Sequence, residues 1–220
     1  MTAGELSRLY PAGVVVEVAN AADEDERLLH GSERALMGAM VPSRRSEFTA
    51  GRNVARRALA RLGFPPGPLL RHDNDRDIEW PQGSTASISH TNGLCAVACG
   101  VVGPALWSLG LDVEQAGPLG ADIVTAICRP DELVTLGSLA PPVPSDWPRL
   151  VFAMKEAAYK AWYPVTRRVL DFPEMRISVD AAARSYSAEV MEAPLSGLSI
   201  AGRFGWDGQF VYAGAVLTRG

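Results

Sequence analysis

The two lysines of this 220-residue chain lie close together in the segment "VFAMKEAAYKAWYP" (residues 151–164). They are two of 21 basic residues, and the other basic residues are arginines. Lys155 and Lys160 flank Glu156, and Glu156 and Lys160 are four residues apart, which puts them on one face of a helix. Because an ammonium is a compact point charge that suits a phosphate oxygen, the segment is a candidate phosphate site. The alternative is a solvated helix with one surface ion pair.

A pair of carboxylates lies in "LWSLGLDVEQ", which reads as a strand that ends in acidic residues. Asp112 and Glu114 are two residues apart, so their side chains point to the same face of the strand. Carboxylates this close repel each other unless a cation lies between them, and Mg²⁺ prefers such oxygen ligands together with substrate phosphates. If Glu156 joins them, three carboxylates converge on one metal ion. The alternative is a charged strand end.

Two further stretches carry groups that suit phosphate. In "SISHTNG", Ser87 and Ser89 alternate along a predicted strand and His90 follows at its end, where it can donate to a phosphate or serve as a structural hydrogen bonder. In "RRSEFTAGRNVARRAL" we predict a helix with Ser46 as its N-cap, Arg44 before its start and Arg52 two turns into it. A solvated basic face is the alternative, above all for Arg56 and Arg57. Taken together, the four stretches indicate a large polyphosphate ligand.

The elements that must position these groups form two halves of similar plan. Each half mixes strands with one long helix, predicted at about 46–63 in the first half and at 149–163, ended by Pro164, in the second. The other predicted elements are strands at 13–19, on both sides of a polar turn at 91–93, at 106–115 and in the last 45 residues, with short helices near 31, 121 and 131. The sequence predicts an α+β fold with two similar subdomains, residues 1–106 and 107–220.

Composition narrows the class of protein. The net charge of −4 and pI near 5.4 argue against a general nucleic-acid or membrane-surface binder. Three scattered cysteines predict buried thiols rather than a disulfide framework. The uncharged span 91–111 is long enough to suggest a membrane helix, but its glycines and Pro104 favour two buried strands. No signal peptide is apparent at the N-terminus, so we expect a cytoplasmic protein.

Three motifs in this order resemble the Sfp-type 4′-phosphopantetheinyl transferases, and in particular the EntD-like members of actinobacteria. They are "WPQGSTASISH" (80–90), "LGLDVE" (109–114) and "FAMKEAAYKAW" (152–162), and the stretch at 44–59 is similar as well. The resemblance implies two α+β subdomains related by a pseudo-twofold axis, with the active site at their interface. It also implies coenzyme A as donor, Mg²⁺ (or Mn²⁺) as metal and an acyl or peptidyl carrier protein as acceptor.

The resemblance assigns a role to each matching residue. Asp112, Glu114 and Glu156 would hold the metal, and Glu156 would also act as general base, directly or through water. Lys155 and Lys160 would contact the phosphates during catalysis. Ser89 and His90 would bind the nucleotide, with Arg44 and Arg52 beside the 3′-phosphate and Arg71 or Arg76 assisting. The chain departs from the family pattern at Ala86 and at Ile78-Glu79, near the adenine side.

Two other functions share these residues. A Mg²⁺-dependent coenzyme A pyrophosphohydrolase would use the same carboxylates with water as nucleophile, and a non-catalytic module would only bind the carrier or coenzyme A.

We expect a monomer, because the two halves of the site lie in one chain. Since carrier helices are acidic, the carrier would dock on a basic or apolar face. Candidates are the loop 116–132 and the helix end with Trp162, Tyr163, Arg167 and Arg168.

Overall fold

The computed structural model describes residues 1–71, 77–142, 145–192 and 197–219, and they form a mixed α+β fold, as predicted. Most of the predicted elements are found. The helices are α1 (Ala3–Ser7), α2 (Gly31–Ala35), α3 (Pro42–Arg61), α4 (Ala121–Ile127), α5 (Pro130–Leu136) and α6 (Trp147–Thr166). The strands are β1 (Val15–Asn20), β2 (Ser84–Thr91), β3 (Leu94–Val101), β4 (Ser108–Gln115), β5 (Met175–Asp180), β6 (Ser185–Val190), β7 (Leu198–Trp206) and β8 (Phe210–Arg219).

The strands form two antiparallel sheets, with orders β1-β3-β2 and β4-β8-β7-β6-β5. The predicted turn between β2 and β3 is a two-residue hairpin of Asn92 and Gly93, both with positive φ (44° and 77°), which is the backbone that a tight hairpin turn needs. Because of this turn, residues 91–111 do not form the membrane helix that their lack of charge suggested. No helix in the described part of the chain is long and apolar enough to cross a membrane.

The two halves repeat one plan. In each half a first strand leads through a 20-residue helix to two later strands, and the last strand lies between the other two: β1-β3-β2 with α3, and β4-β8-β7 with α6. The hairpin β5-β6 extends only the second sheet. Two similar subdomains are therefore visible in the topology, as the fold prediction states.

The halves share a core. Leu6, Leu9 and Tyr10 from the N-terminus pack with Leu109 and Leu111 of β4, and the Tyr10 hydroxyl donates to the Gly110 carbonyl oxygen at 2.7 Å. β2 also runs beside β4 in the same direction, joined by the Ser87 and Ser89 hydroxyls, which accept from the backbone amides of Leu111 and Val113. The division at residue 106 falls in the connection between β3 and β4 and stays a prediction.

Two predicted helix boundaries are wrong. Helix α3 begins at Pro42, where a proline needs no hydrogen-bond acceptor for its nitrogen. Ser46 therefore lies inside the helix and donates to the Ala21 carbonyl oxygen instead of capping it. Helix α6 continues past Pro164 to Thr166 and ends at Arg167 in the left-handed conformation (φ 55°). A proline in the last turn removes one hydrogen bond without ending the helix there.

Candidate functional site

A cleft of about 500 Å³ lies between the two halves, and most of the predicted phosphate-binding residues line it. The first half contributes α3, β2 and the segment before β2, and the second half contributes the last two turns of α6. Its lining residues are Arg44, Arg52, Arg71, Asp77, Ile78, Trp80, Ala86, Ser87, Ile88, His90, Tyr159, Lys160, Tyr163, Pro164 and Val169. The cleft thus combines a basic end with an aromatic and apolar wall.

Arg52 is the most buried cation of the basic end, with 5 % of its surface exposed. Its Nε donates to the Leu69 carbonyl oxygen at 2.8 Å, and its guanidinium lies 4.4 Å from the centre of the Phe48 ring. Nη2 is buried and has no hydrogen-bond partner among the residues that the structure describes. Burial lowers the Arg52 pKa to about 10, so the group is still cationic at neutral pH. A buried cation with an unused donor at a cleft wall is suited to an anion.

His90 brings a second buried nitrogen that has no partner among the described residues. Its Nε2 makes no hydrogen bond, and the ring lies against α3 at Gly51, where an added Cβ would come within 3.2 Å of Nε2. Glycine at this position therefore lets the helix approach the imidazole. Burial lowers the His90 pKa to about 4, against the opposing charge of Glu47, so the ring is neutral at pH 7 until an anion binds.

The other basic residues are more exposed. Arg44 lies in the first turn of α3, not before it, and pairs with Glu47 at 3.0 Å. The backbone of Arg71 pairs with that of Ile78 in an isolated antiparallel β-bridge, and Arg71 also lines the cleft. Arg76 lies outside the described residues. Arg57 is 45 % exposed and pairs with Glu24, as expected of a solvated face. Arg56 is only 13 % exposed and pairs with the buried Glu33, so the expectation is wrong for Arg56.

Lys160 lies where the cleft meets the acidic residues. Its Nζ donates to the Leu111 carbonyl oxygen at 3.2 Å and to Oδ1 of Asp112 at 2.7 Å. This replaces the surface ion pair with Glu156 that helical spacing allows. Asp112 is buried, and its Oδ1 also accepts from the Ser89 hydroxyl at 3.2 Å, while its Oδ2 has no partner in the described ranges of the chain. Ser89 is thus engaged between β2 and β4 and does not line the cleft, whereas Ser87 does.

The three predicted metal ligands lie near one another without forming a complete site. Burial and then the charge of Asp112 raise the Glu114 pKa to about 7, and burial raises the Glu156 pKa as well. Glu114 has Arg149 at 3.7 Å. Within the described residues, however, no three Asp, Glu, His or Cys side chains are arranged to hold a metal ion. The metal role of these carboxylates therefore stays a prediction, supported by the unused Oδ2 of Asp112.

Lys155 does not reach the cleft, contrary to the sequence-based expectation. Its Nζ donates to Glu132 Oε2 at 2.9 Å and to the carbonyl oxygens of Ile127 and Phe172, which uses all three protons. The side chain is 1 % exposed. Residues five apart on a helix are separated by about 140°, so α6 directs its two lysines to different faces.

Several residues of this site were not found from the sequence. Trp80, Tyr159 and Tyr163 line the cleft, and the rings of the two tyrosines lie 5.6 Å apart. The spacing of Tyr159 and Tyr163, four residues apart and next to Lys160, is the signal that would have placed them on this wall. Conversely, Trp162 is 2 % exposed and belongs to the core, so it is not a docking residue.

Comparison with known proteins finds two family models that match this chain. Residues 32–100 match the model of the 4′-phosphopantetheinyl transferase N-terminal domain, and residues 108–201 match that of the 4′-phosphopantetheinyl transferase superfamily. The two matches divide the chain at the connection between β3 and β4. The first match includes His90 and the cleft arginines Arg44, Arg52 and Arg71. The second includes both lysines and the three carboxylates.

Curated relatives cover most of the chain. The 4′-phosphopantetheinyl transferase Svp of Streptomyces mobaraensis is 38% identical over 84% of this chain and 76% of its own length. PptT of Mycobacterium tuberculosis is 33% identical over 85% of this chain and 83% of its own length, and Npt of Nocardia iowensis is 34% identical over 80% and 77%. Both carry the same enzyme name. The chain therefore belongs to the 4′-phosphopantetheinyl transferase family.

Proposed function

We propose that this enzyme transfers the 4′-phosphopantetheine arm of coenzyme A to a serine of an acyl or peptidyl carrier protein and releases 3′,5′-ADP. The observation that carries the proposal is the cleft itself. At one end it holds two buried nitrogens, Arg52 Nη2 and His90 Nε2, that have no hydrogen-bond partner within the described part of the chain. At the other end Lys160 joins it to the buried carboxylate of Asp112. A ligand with an anion at one end and a pyrophosphate further along fits both ends.

The basic end takes the 3′-phosphate of the coenzyme. Arg52 has a donor available for it, and His90 can donate from Nε2 once its ring is protonated. Arg44 and Arg71 add positive charge from the more exposed sides of the cleft. A phosphate also favours the charged form of His90, so binding draws a proton onto the ring. The nucleotide base then lies toward Ile78 and Trp80, and Arg76 stays a candidate assistant.

The acidic end is suited to a divalent cation. Asp112, Glu114 and Glu156 offer the hard oxygen donors that Mg²⁺ or Mn²⁺ prefers. Burial is the main cause that raises the pKa values of Glu114 and Glu156, the charge of Asp112 adds to it, and a bound cation would offset that charge. When bound, the metal ion supplies Lewis-acid stabilisation of the pyrophosphate. The ammonium of Lys160 is within reach of the same region and offsets the negative charge that develops on the leaving nucleotide.

Glu156 is our candidate for the general base. Burial raises the Glu156 pKa and so its proton affinity, whereas a metal ion bound to the carboxylate would lower that pKa, which makes transfer through a water molecule as good a route as direct transfer. The carrier serine loses its hydroxyl proton to Glu156, directly or through a water molecule, and its oxygen forms a bond to the phosphorus that bears the pantetheine arm. The bond from that phosphorus to the bridging oxygen breaks, and 3′,5′-ADP leaves with the electron pair.

The setting of the reaction follows from its substrates. We expect the enzyme to work in the cytoplasm as a monomer, since both ends of the cleft come from one chain. It would bind carrier proteins, with neither nucleic acid nor a membrane as partner. The carrier would approach the loop 116–132 or the end of α6 near Tyr163, Arg167 and Arg168. Polyketide and nonribosomal peptide synthases are the classes of assembly line that we expect to be served.

The transferase is distinguished from the hydrolase by whether release of 3′,5′-ADP requires a carrier protein. The names of the curated relatives favour a transferase over a pyrophosphohydrolase or a non-catalytic module. We would quantify 3′,5′-ADP by chromatography after incubation with coenzyme A and Mg²⁺, with a carrier protein, with its Ser→Ala variant, or alone. Release only with the intact carrier is the expected result. Equal release without a carrier would indicate the hydrolase, and no release with any carrier would indicate a binding module.

A further inference from the structure

A buried glutamate outside the cleft holds the wall on which the anion end is built. Glu33, at the start of α2, has no exposed surface. Its carboxylate accepts two hydrogen bonds from Arg56 Nη1 at 2.7 and 2.8 Å, one from the Leu69 amide at 2.8 Å and one from the His30 amide at 2.9 Å. Its oxygens are thus fully engaged in ordering α3 and the segment that follows it.

Leu69 links this carboxylate to the cleft. Its amide donates to Glu33 Oε1, and its carbonyl oxygen accepts from Arg52 Nε, each at 2.8 Å. Both peptide groups that flank Leu69 are therefore fixed, and so is the acceptor that orients the Arg52 guanidinium. Two residues further on, the same segment brings Arg71 to the cleft.

Glu33 also acts on Arg52 through its charge. Burial is the main cause that lowers the Arg52 pKa. The charge of Glu33 raises that pKa, and its effect is larger than the lowering caused by Arg71, Arg44 or Arg56 individually. A negative charge behind the guanidinium thus helps to keep a buried arginine cationic in a cluster of like charges. Position and charge both depend on the same carboxylate.

We propose that Glu33 is a positioning residue for the 3′-phosphate end of the cleft, acting through Leu69 on Arg52. This inference rests on the proposed function, because it assigns a use to the unpaired Nη2 of Arg52. Loss of Glu33 then weakens ligands that carry a 3′-phosphate more than ligands that lack it. A purely structural role would lower stability and leave that preference unchanged.

The internal duplication supplies a matched control. Glu132 occupies the same place at the start of α5, where its carboxylate accepts from the Arg129 amide, from Lys155 on the long helix α6 and from the Ile177 amide beyond that helix. It is also buried. Glu132→Gln therefore removes a comparable buried charge at the same kind of helix start, in the half of the molecule that does not hold Arg52.

The test compares two nucleotides by titration calorimetry, adenosine 3′,5′-bisphosphate and adenosine 5′-monophosphate. The ratio of their Kd values reports the 3′-phosphate end alone and requires no catalysis. Because a hydrogen bond to a charged group is worth about tenfold in affinity, we expect Glu33→Gln to reduce the preference of the wild type for the bisphosphate by roughly 5–10-fold. Glu132→Gln should leave it within about twofold.

The possible failures are separable. A wild type that does not prefer the bisphosphate would contradict the nucleotide end of the proposed function. A wild type that prefers it, with an unchanged preference in Glu33→Gln, would overturn the role of Glu33 alone. If Glu33→Gln does not fold, Glu33→Asp carries the same readout. It keeps the charge beside Arg56, but its shorter side chain cannot hold Arg56 and the Leu69 amide together, so we expect a reduced preference there too.

Discussion

Replacing Lys155 by methionine separates two roles that the sequence alone does not distinguish, phosphate contact and support of the fold. The Lys155 ammonium and the Glu132 carboxylate are 2.9 Å apart with 1 % and 2 % of their side chains exposed. Burial lowers the Lys155 pKa, and the hydrogen bond and charge of Glu132 oppose that shift. Removing one partner of such a pair leaves an uncompensated buried charge and costs about 3–5 kcal/mol of unfolding free energy.

We therefore expect Lys155→Met to lower the unfolding free energy by about 3–5 kcal/mol in urea titrations, and the Tm by roughly 10 °C. The double variant Lys155→Met, Glu132→Gln should recover part of the loss, because no buried charge is then left unpaired. The Kd of the folded Lys155→Met protein for coenzyme A, measured by calorimetry with Mg²⁺, should stay within about twofold of the wild type. Lys160→Met is the contrast, with an expected loss of about tenfold in affinity.

A stable Lys155→Met protein with a tenfold weaker affinity for coenzyme A would refute this reasoning. It would show that Lys155 leaves Glu132 and reaches the phosphates, as the family resemblance implies. Loss of stability with unchanged affinity would make Lys155 a structural residue beside Glu156, the proposed general base.

Three further outcomes follow from the geometry. The difference in unfolding free energy between the wild type and His90→Asn, measured in urea titrations, should decrease by on the order of 2–3 kcal/mol as pH falls from about 6.5 to 4. The reason is that charging the buried ring costs free energy only in the folded state. A pH-independent difference would contradict the burial of the imidazole. Gly110→Ala should fail to fold or lose several kcal/mol of unfolding free energy in thermal unfolding, since the added Cβ would lie 1.8 Å from the Ala157 carbonyl oxygen. Gly208→Ala is the control, because a Cβ added there meets no atom of the described residues within 4 Å. Equal stability of the two variants would argue against the close contact of β4 and α6. Lys160→Arg should lower kcat/KM for coenzyme A about tenfold in a steady-state assay, because a planar guanidinium cannot replace the compact ammonium beside Asp112; full activity would mean that any cation suffices.

Much of the fold was predictable because it depends on local patterns. Alternation of apolar residues gives the strands, and the Asn92-Gly93 pair gives the hairpin turn. The boundaries of α3 and α6 were wrong because proline acts at both. Pro42 starts a helix that Ser46 was expected to start, and Pro164 does not end a helix whose apolar face continues to pack.

The site was predictable where spacing determines direction. Asp112 and Glu114 share a face of β4, and Glu156 and Lys160 share a face of α6. Lys155 was misplaced because motif spacing was read without the helical angle between residues five apart. Its partner Glu132 lies 23 residues away, and no local pattern reveals such a pair. The burial that leaves Arg52 Nη2 and His90 Nε2 without hydrogen-bond partners among the described residues is likewise a tertiary property.

The most direct test of the central claim is the intact mass of a purified carrier protein after incubation with this enzyme, coenzyme A and Mg²⁺. The account predicts that the carrier gains the mass of one phosphopantetheine group, that its Ser→Ala variant gains none, and that EDTA or Glu156→Gln abolishes the gain. An unmodified mass for every carrier tried, with coenzyme A bound in the cleft, would contradict it.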